Sequence, residues 1–167
     1  MSAIDEMLCF SLYAASRATT QAYRPLLEPF GLTYPQYLVL VLLWERDGRT
    51  VSELGQSLEL DSGTLSPLLR RMTDAGIVVR ARSAGDERVV VVSLTDRGRA
   101  LRADLAHVPA CIAAGTGLTR ERADELIDTL RRFTADMHAS ADATRAADTT
   151  SGSPRAAAAT DNERVHA

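Results

Sequence analysis

The residues best suited to chemistry in this sequence are arginines and small hydroxyl side chains between positions 62 and 102. From Arg70 to Arg102 there are eight arginines and four acids, a local balance of +4 in a chain whose net charge is −3. A charge run of this kind is often only a solvated surface, and it can equally face an anionic partner. The elements that carry the arginines favour the second interpretation.

Those elements are predicted to be two short helices followed by a β-hairpin. Thr50 and Glu53 can form a reciprocal cap, which marks the start of the first helix. The second helix ends at Gly76 and repeats apolar residues at helical spacing, at Leu65, Leu68, Leu69 and Met72. The β-branched runs 77–79 and 88–94 flank turn residues 83–86, so they predict a hairpin with a basic, exposed tip.

The polar face of the second helix begins with hydroxyl side chains and continues with guanidinium groups. This order suits a helix that enters the major groove of double-stranded DNA with its N-terminus first. The candidate DNA-binding residues are Ser62, Thr64, Ser66, Arg70 and Arg71 on the helix, and Arg80, Arg82, Asp86 and Arg88 on the hairpin. Together these elements predict a winged helix-turn-helix.

The hairpin sequence also carries a family signature. Asp86-Glu87-Arg88, followed by the run 89–94, resembles the wing motif of MarR-type transcriptional regulators. The motif implies that Asp86 orients the Arg88 guanidinium for the minor groove. Other stretches resemble the organic-hydroperoxide-sensing branch of that family: Leu8-Cys9-Phe10, Leu12-Tyr13-Ala14, 23–27, 31–37 and 60–65. The resemblance spans roughly Glu6 to Met137. It implies a mainly α-helical fold with a small β-hairpin wing, in an intertwined homodimer whose first and last helices interlock.

Cys9 lies near the start of a helix predicted over 5–27, where unpaired backbone amides favour a thiolate. Taken alone, a cysteine on an apolar helix is more often an inert core residue. The resemblance implies instead that Tyr23 and Tyr34 hydrogen-bond the reactive sulfur from across the dimer. Phe10 and Tyr13 would then form the wall of an apolar pocket for an organic hydroperoxide.

Cys111 is the second cysteine of the chain. A sulfenic acid formed at Cys9 would seek another thiol, and the resemblance implies an intersubunit disulfide from this region. Cys111 stands about one helical turn before the usual position in the branch. Capping of oxidised Cys9 by a small cellular thiol therefore remains an alternative.

Four segments are expected. Residues 1–48 form N-terminal helices for dimerisation and sensing, with a central apolar helix at 38–44, and residues 49–96 form the DNA-binding domain. Residues 97–140 form C-terminal dimerisation helices, interrupted at Pro109, whose last helix carries an apolar stripe from Ala123 to Met137. Residues 141–167 are expected to be a disordered tail, because they are rich in alanine, threonine, serine and aspartate without an apolar stripe.

Composition and motifs reduce the number of possible functions further. No Cys/His spacing suggests a metal site, and no cofactor motif is present. Neither a membrane span nor a signal peptide is expected, so the sequence predicts a cytoplasmic protein. The leading hypothesis is a repressor that leaves its operator DNA when an organic hydroperoxide oxidises Cys9. The alternative is a regulator that binds a small aromatic ligand, with Cys9 structural. A thiol peroxidase is disfavoured because the charged residues nearest Cys9 are the acids Asp5 and Glu6, so no enzymatic activity is expected.

Overall fold

The computed structural model describes residues 3–83, 85–86 and 88–151. It divides into two compact units, one up to Gly117 and one from Leu118 onward. All of the predicted site residues lie in the first unit. In the second unit the described residues, 118–151, contain one helix, α7 (Arg120–Ser151).

The first unit begins with a short 3-10 helix, Ala3–Glu6, and then α1 (Leu8–Leu27), so the helix predicted from residue 5 is split at its start. A second 3-10 turn, Glu28–Phe30, leads to Gly31, which has a positive φ of 66°. α2 (Tyr34–Glu45) follows, and its residues Val39, Leu40 and Leu43 are almost completely buried. The prediction that this helix is central to the core is confirmed.

The predicted helix-turn-helix consists of α3 (Val51–Leu58) and α4 (Ser62–Asp74). Thr50 caps α3 by accepting from the Glu53 amide, and the Glu53 carboxylate accepts from the Thr50 amide at 2.7 Å. The Arg46 guanidinium and the Thr50 amide lower the pKa of Glu53 to about 2, so this cap stays charged at neutral pH. α4 continues through Pro67, and Leu65, Leu68, Leu69 and Met72 are buried as predicted.

The wing is the hairpin of β2 (Val78–Arg82) and β3 (Val90–Leu94), which pair antiparallel from Val78 opposite Leu94 to Arg82 opposite Val90. A third strand, β1 (Arg49–Thr50), pairs with β3 and gives the order β1-β3-β2. β1 was not predicted, because two residues are too few to show an alternating pattern. The predicted winged-helix fold is confirmed.

The helix predicted to follow the wing is two helices, α5 (Asp96–Asp104) and α6 (Val108–Thr116). Thr95 caps α5 as expected, by accepting from the Gly98 amide at 3.1 Å. Pro109 is the second residue of α6 and does not interrupt a longer helix, because the N–H that a proline lacks would have no helical partner in a first turn.

α7 continues ten residues beyond the predicted start of the tail at 141, to Ser151. Alanine has the highest helix propensity, and an Asp142–Arg145 pair at 2.9 Å adds local support, which explains why this part is helical despite lacking an apolar stripe. Residues 152–167 of the expected tail lie outside the described residues. Among the described residues no single helix is long and apolar enough to cross a membrane, although a bent pair, Leu8–Phe30 with Tyr34–Glu45, meets the length and composition criteria.

Candidate DNA-binding surface and sensing residues

The polar face of α4 is exposed along its length. Ser62, Thr64, Ser66, Arg70 and Arg71 all lie at the surface, as the sequence predicts. The Thr64 hydroxyl donates to the Asp61 carboxylate at 2.9 Å, and the Thr64 amide donates to the same group and lowers the pKa of Asp61. Thr64 therefore stabilises the start of the helix, and the lone pairs of its hydroxyl oxygen remain as acceptors.

The wing presents its arginines to solvent. The Arg88 side chain is 92% exposed, and its Nε donates to Asp86 Oδ1 at 3.3 Å, while the Arg88 amide donates to the same oxygen at 2.9 Å. Asp86 thus orients the Arg88 side chain through two hydrogen bonds, one from the backbone amide and one from Nε. The wing motif predicts this contact between Asp86 and Arg88. Arg80 and Arg82 are exposed on β2. Arg80 and Arg88 line a cleft of about 400 Å³ together with Thr50 and Ser52 at the start of α3.

Two of the predicted sensing residues form a packed pair. The rings of Tyr23 on α1 and Tyr34 on α2 are 4.4 Å apart between centroids and tilted by 34°. Both side chains are partly buried, and this burial raises the pKa of Tyr23 and of Tyr34 above 10.0. Their hydroxyls are therefore protonated at neutral pH and can donate hydrogen bonds.

Cys9 is exposed and occupies the second residue of α1. Tyr23 lies fourteen residues further along the same helix, which at 1.5 Å per residue is about 21 Å. The structure therefore does not bring Cys9 and the Tyr23–Tyr34 pair together within one chain. Near Cys9, Phe10 is half-buried and Tyr13 is exposed. The Arg17 guanidinium lies 5.7 Å from the Tyr13 ring centroid and donates to its hydroxyl at 3.0 Å.

Cys111 is also exposed, on α6. It lines a groove of about 410 Å³ between α1 and α6, together with Ala22, Leu26 and Ile112. The α1 residues of this groove, Ala18 to Leu26, belong to the half of the helix that lies away from Cys9. The described residues contain no group of three or more His, Cys, Asp or Glu side chains that could hold a metal ion.

Sequence reasoning missed the residues that attach the wing to α2 and α5. Asp47 Oδ1 accepts from the Leu94 amide at 2.8 Å, and Asp47 Oδ2 accepts from Arg99 at 3.1 Å. The Trp44 indole donates to the Gly98 carbonyl at 2.9 Å. Asp47-Gly48 suggested only a turn, because the partners of these side chains are about fifty residues away in the sequence.

Comparison with known proteins agrees with this architecture. Residues 21–105 match the family described as transcriptional regulator SarA/Rot. The chain is 47% identical over 141 residues to the HTH-type transcriptional regulator TtmR of Methylorubrum extorquens, which covers 84% of this chain and 72% of that protein. It is also 46% identical over 123 residues to the organic hydroperoxide resistance transcriptional regulator of Bacillus subtilis. This match covers 74% of this chain and 82% of that protein.

A solved structure of the reduced form of AbfR, a protein of Staphylococcus epidermidis, bound to DNA superposes with a TM-score of 0.67 at 35% identity, covering 78% of this chain and 90% of that one. AbfR has also been solved in a disulfide-formed state, which superposes with a TM-score of 0.58 at 37% identity and covers 77% and 90%. The named relatives are transcriptional regulators, so the prediction that this chain is not an enzyme is confirmed. The chain belongs to the family of MarR-like, winged-helix, DNA-binding transcriptional regulators that its wing motif predicts.

Proposed function

We propose that this protein is a dimeric cytoplasmic repressor that binds operator DNA while Cys9 is reduced and releases it when an organic hydroperoxide oxidises Cys9. The observation that carries the proposal is the packed Tyr23–Tyr34 pair, whose protonated hydroxyls provide two donors for a thiolate without a nearby cation. The similarity to a hydroperoxide resistance regulator supports the same reaction.

The tyrosine pair can reach Cys9 only from a second subunit. A separation of about 21 Å along a rigid helix is far beyond the reach of a tyrosine side chain, so the donors to Cys9 come from the partner. Exposed apolar residues at the start of α1, namely Leu8 and the preceding Met7, and on α7, such as Leu126 and Ile127, supply surface for that association. A symmetric dimer would contain two identical sensing sites.

The first chemical step uses the hydroperoxide as the oxidant. The Cys9 thiolate attacks the terminal peroxide oxygen, an S–O bond forms and the O–O bond breaks, and the alkoxide leaves as an alcohol after taking up a proton. The product is a sulfenic acid at Cys9. Phe10 and Tyr13, one and four residues beyond Cys9, would provide apolar surface for the organic part of the peroxide.

The second step, in this proposal, is attack by Cys111 of the partner on the Cys9 sulfenic sulfur, which forms a disulfide and releases water. Cys111 borders the half of α1 that lies away from Cys9, which favours a bond between subunits over one within a chain. The α-carbons must come within about 7 Å to form this bond. The resulting shift of α1 and α6 would move the two DNA-binding domains relative to each other.

DNA recognition is assigned to the exposed residues of α4 and the wing. Ser62, Thr64 and Ser66 would approach base edges in the major groove, and Arg70 and Arg71 would contact bases or phosphates. Arg80 and Arg82 would contact the backbone beside the wing. Arg88, oriented by Asp86, would enter the minor groove.

A gel-shift experiment on the promoter upstream of the gene tests the proposed function. Cumene hydroperoxide should release the DNA, and dithiothreitol should restore binding. The matched control is cumyl alcohol, which has the same apolar group but no O–O bond and should leave the complex intact. Release by the alcohol would favour a regulator that responds to an aromatic ligand, and retention of DNA by the fully peroxide-treated protein would contradict the proposal.

The resolving role of Cys111 gives a separate prediction. Cys111→Ser should react with peroxide at Cys9 but form no covalent dimer, and its Cys9 should proceed to sulfinic acid at excess peroxide. Non-reducing electrophoresis and intact mass measure the two effects, with Cys9→Ser as the control that shows neither product. If the parent releases DNA while remaining monomeric on the denaturing gel, Cys111 does not resolve the sulfenic acid.

A further inference from the structure

A continuous set of aromatic contacts leads from the Tyr23–Tyr34 pair along α2. Tyr23 also contacts Tyr37, with ring centroids 5.7 Å apart, and Tyr37 meets Trp44 edge-on at 6.2 Å and 71°. Tyr37 and Trp44 are seven residues apart, which places them on one face of the helix. Close-packed rings cannot move independently, so a displacement at the pair is passed toward the C-terminal end of α2.

Trp44 connects this aromatic row to α5. Its indole nitrogen, the single hydrogen-bond donor of the side chain, donates to the Gly98 carbonyl at 2.9 Å. Gly98 lies in the first turn of α5. It packs directly against the backbone of Ile77, the residue before β2, because a Cβ atom at position 98 would lie only 2.2 Å from the Ile77 carbonyl oxygen. The indole thus holds α5 at the point where α5 touches the start of β2.

The same region is attached to the other wing strand and to the recognition helix α4. Asp47, three residues after Trp44, accepts from the Leu94 amide at the end of β3 and from Arg99 on α5. Arg97 donates to the Ala75 carbonyl at 2.9 Å, just beyond the last residue of α4. Movement of the C-terminal end of α2 therefore acts on both wing strands and on the end of α4.

We propose that Trp44 is a positioning residue that transmits the state of the Tyr23–Tyr34 pair to the base of the wing. The inference rests on the proposed function, in which the pair donates hydrogen bonds to the Cys9 sulfur. The oxygen that oxidation adds to this sulfur then changes the hydrogen bonds and the space at the pair. The aromatic row carries the change along α2, and the indole–Gly98 hydrogen bond transfers it to α5 and β2. Trp44 itself contacts neither the peroxide nor the DNA in this mechanism.

The quantity that tests this role is the ratio of the operator Kd of the fully oxidised protein to that of the reduced protein. Trp44→Phe keeps an aromatic ring but removes the N–H donor, so the ratio should fall about fivefold or more, the effect of losing one hydrogen bond from the coupling. Replacing Trp44 by benzothienylalanine, which retains the shape of the indole and lacks only the N–H, should produce the same loss. This second variant separates loss of the donor from loss of packing.

Arg102→Ala is the matched control, because it removes a 3.3 Å hydrogen bond from α5 to the Trp44 carbonyl and leaves the indole contact in place. It should keep the parental ratio. Mass spectrometry must show complete Cys9 oxidation in every variant before the ratios are compared. Parental ratios in both Trp44 variants, or an equal fall in Arg102→Ala, would overturn the role of Trp44. A parent that keeps its DNA after complete oxidation would instead overturn the proposed function.

Discussion

Replacing Arg88 by alanine is expected to weaken operator binding by about 30-fold or more. A single well-placed arginine contact to DNA contributes about 1–3 kcal/mol. Because a dimer has two wings, the substitution should cost about 2–6 kcal/mol of binding free energy. The Arg88 side chain is 92% exposed in the free protein and is oriented by Asp86, so it is ready for a DNA contact. Removing an exposed side chain of this kind should leave the fold unchanged.

Fluorescence anisotropy with labelled operator, at several salt concentrations, measures this effect. The salt dependence should become shallower because fewer phosphate counterions are released. Arg145→Ala is the matched control, since Arg145 pairs with Asp142 on an exposed face of α7 much as Arg88 pairs with Asp86 on the wing. Equal affinities of Arg88→Ala and the parent at the same salt would show that the wing arginine does not contact DNA.

Local signals in the sequence were enough to predict most of the DNA-binding fold. Thr50 with Glu53, Asp61 and Thr95 are helix caps whose partners lie within three residues, so the residues alone indicated where α3, α4 and α5 begin. The buried row of α4 follows from its helical spacing. The wing was recognised because a turn-rich tip lies between two β-branched runs, and its motif is specific to the family.

Features that depend on distant partners were not predictable in this way. The strand β1 forms because an edge of β3 is available for pairing. Asp47 connects the wing to α5 because it accepts hydrogen bonds from Leu94 and Arg99, which are about fifty residues away in the sequence. No periodic pattern in the sequence records such contacts. The proposed sensing site is harder still to predict, because Cys9 and Tyr23 are far apart along α1 and do not meet within one chain. Only the resemblance to a known family suggested that pairing.

Replacing Cys9 by serine should abolish the response to peroxide without impairing DNA binding. Serine is close to cysteine in size, and position 9 is exposed at the start of α1, so the variant should fold and bind operator within about twofold of the parent. A serine hydroxyl cannot form a sulfenic acid. The operator Kd of the parent should rise about 5-fold to 150-fold on oxidation, the usual range of coupling between two sites, whereas that of Cys9→Ser should not change.

Titration of both proteins with cumene hydroperoxide, followed by anisotropy and then by dithiothreitol, tests this prediction. Cys111→Ser is the informative comparison, because it retains the thiol that meets the peroxide but cannot form the disulfide, so it separates the effect of oxidising Cys9 from the effect of the disulfide. If Cys9→Ser also released DNA, the trigger would lie elsewhere, and the exposed Cys111 would become the candidate sensor. Release by Cys111→Ser but not by Cys9→Ser would mean that oxidation of Cys9 alone, before any disulfide forms, is sufficient to disturb the Tyr23–Tyr34 pair and free the operator.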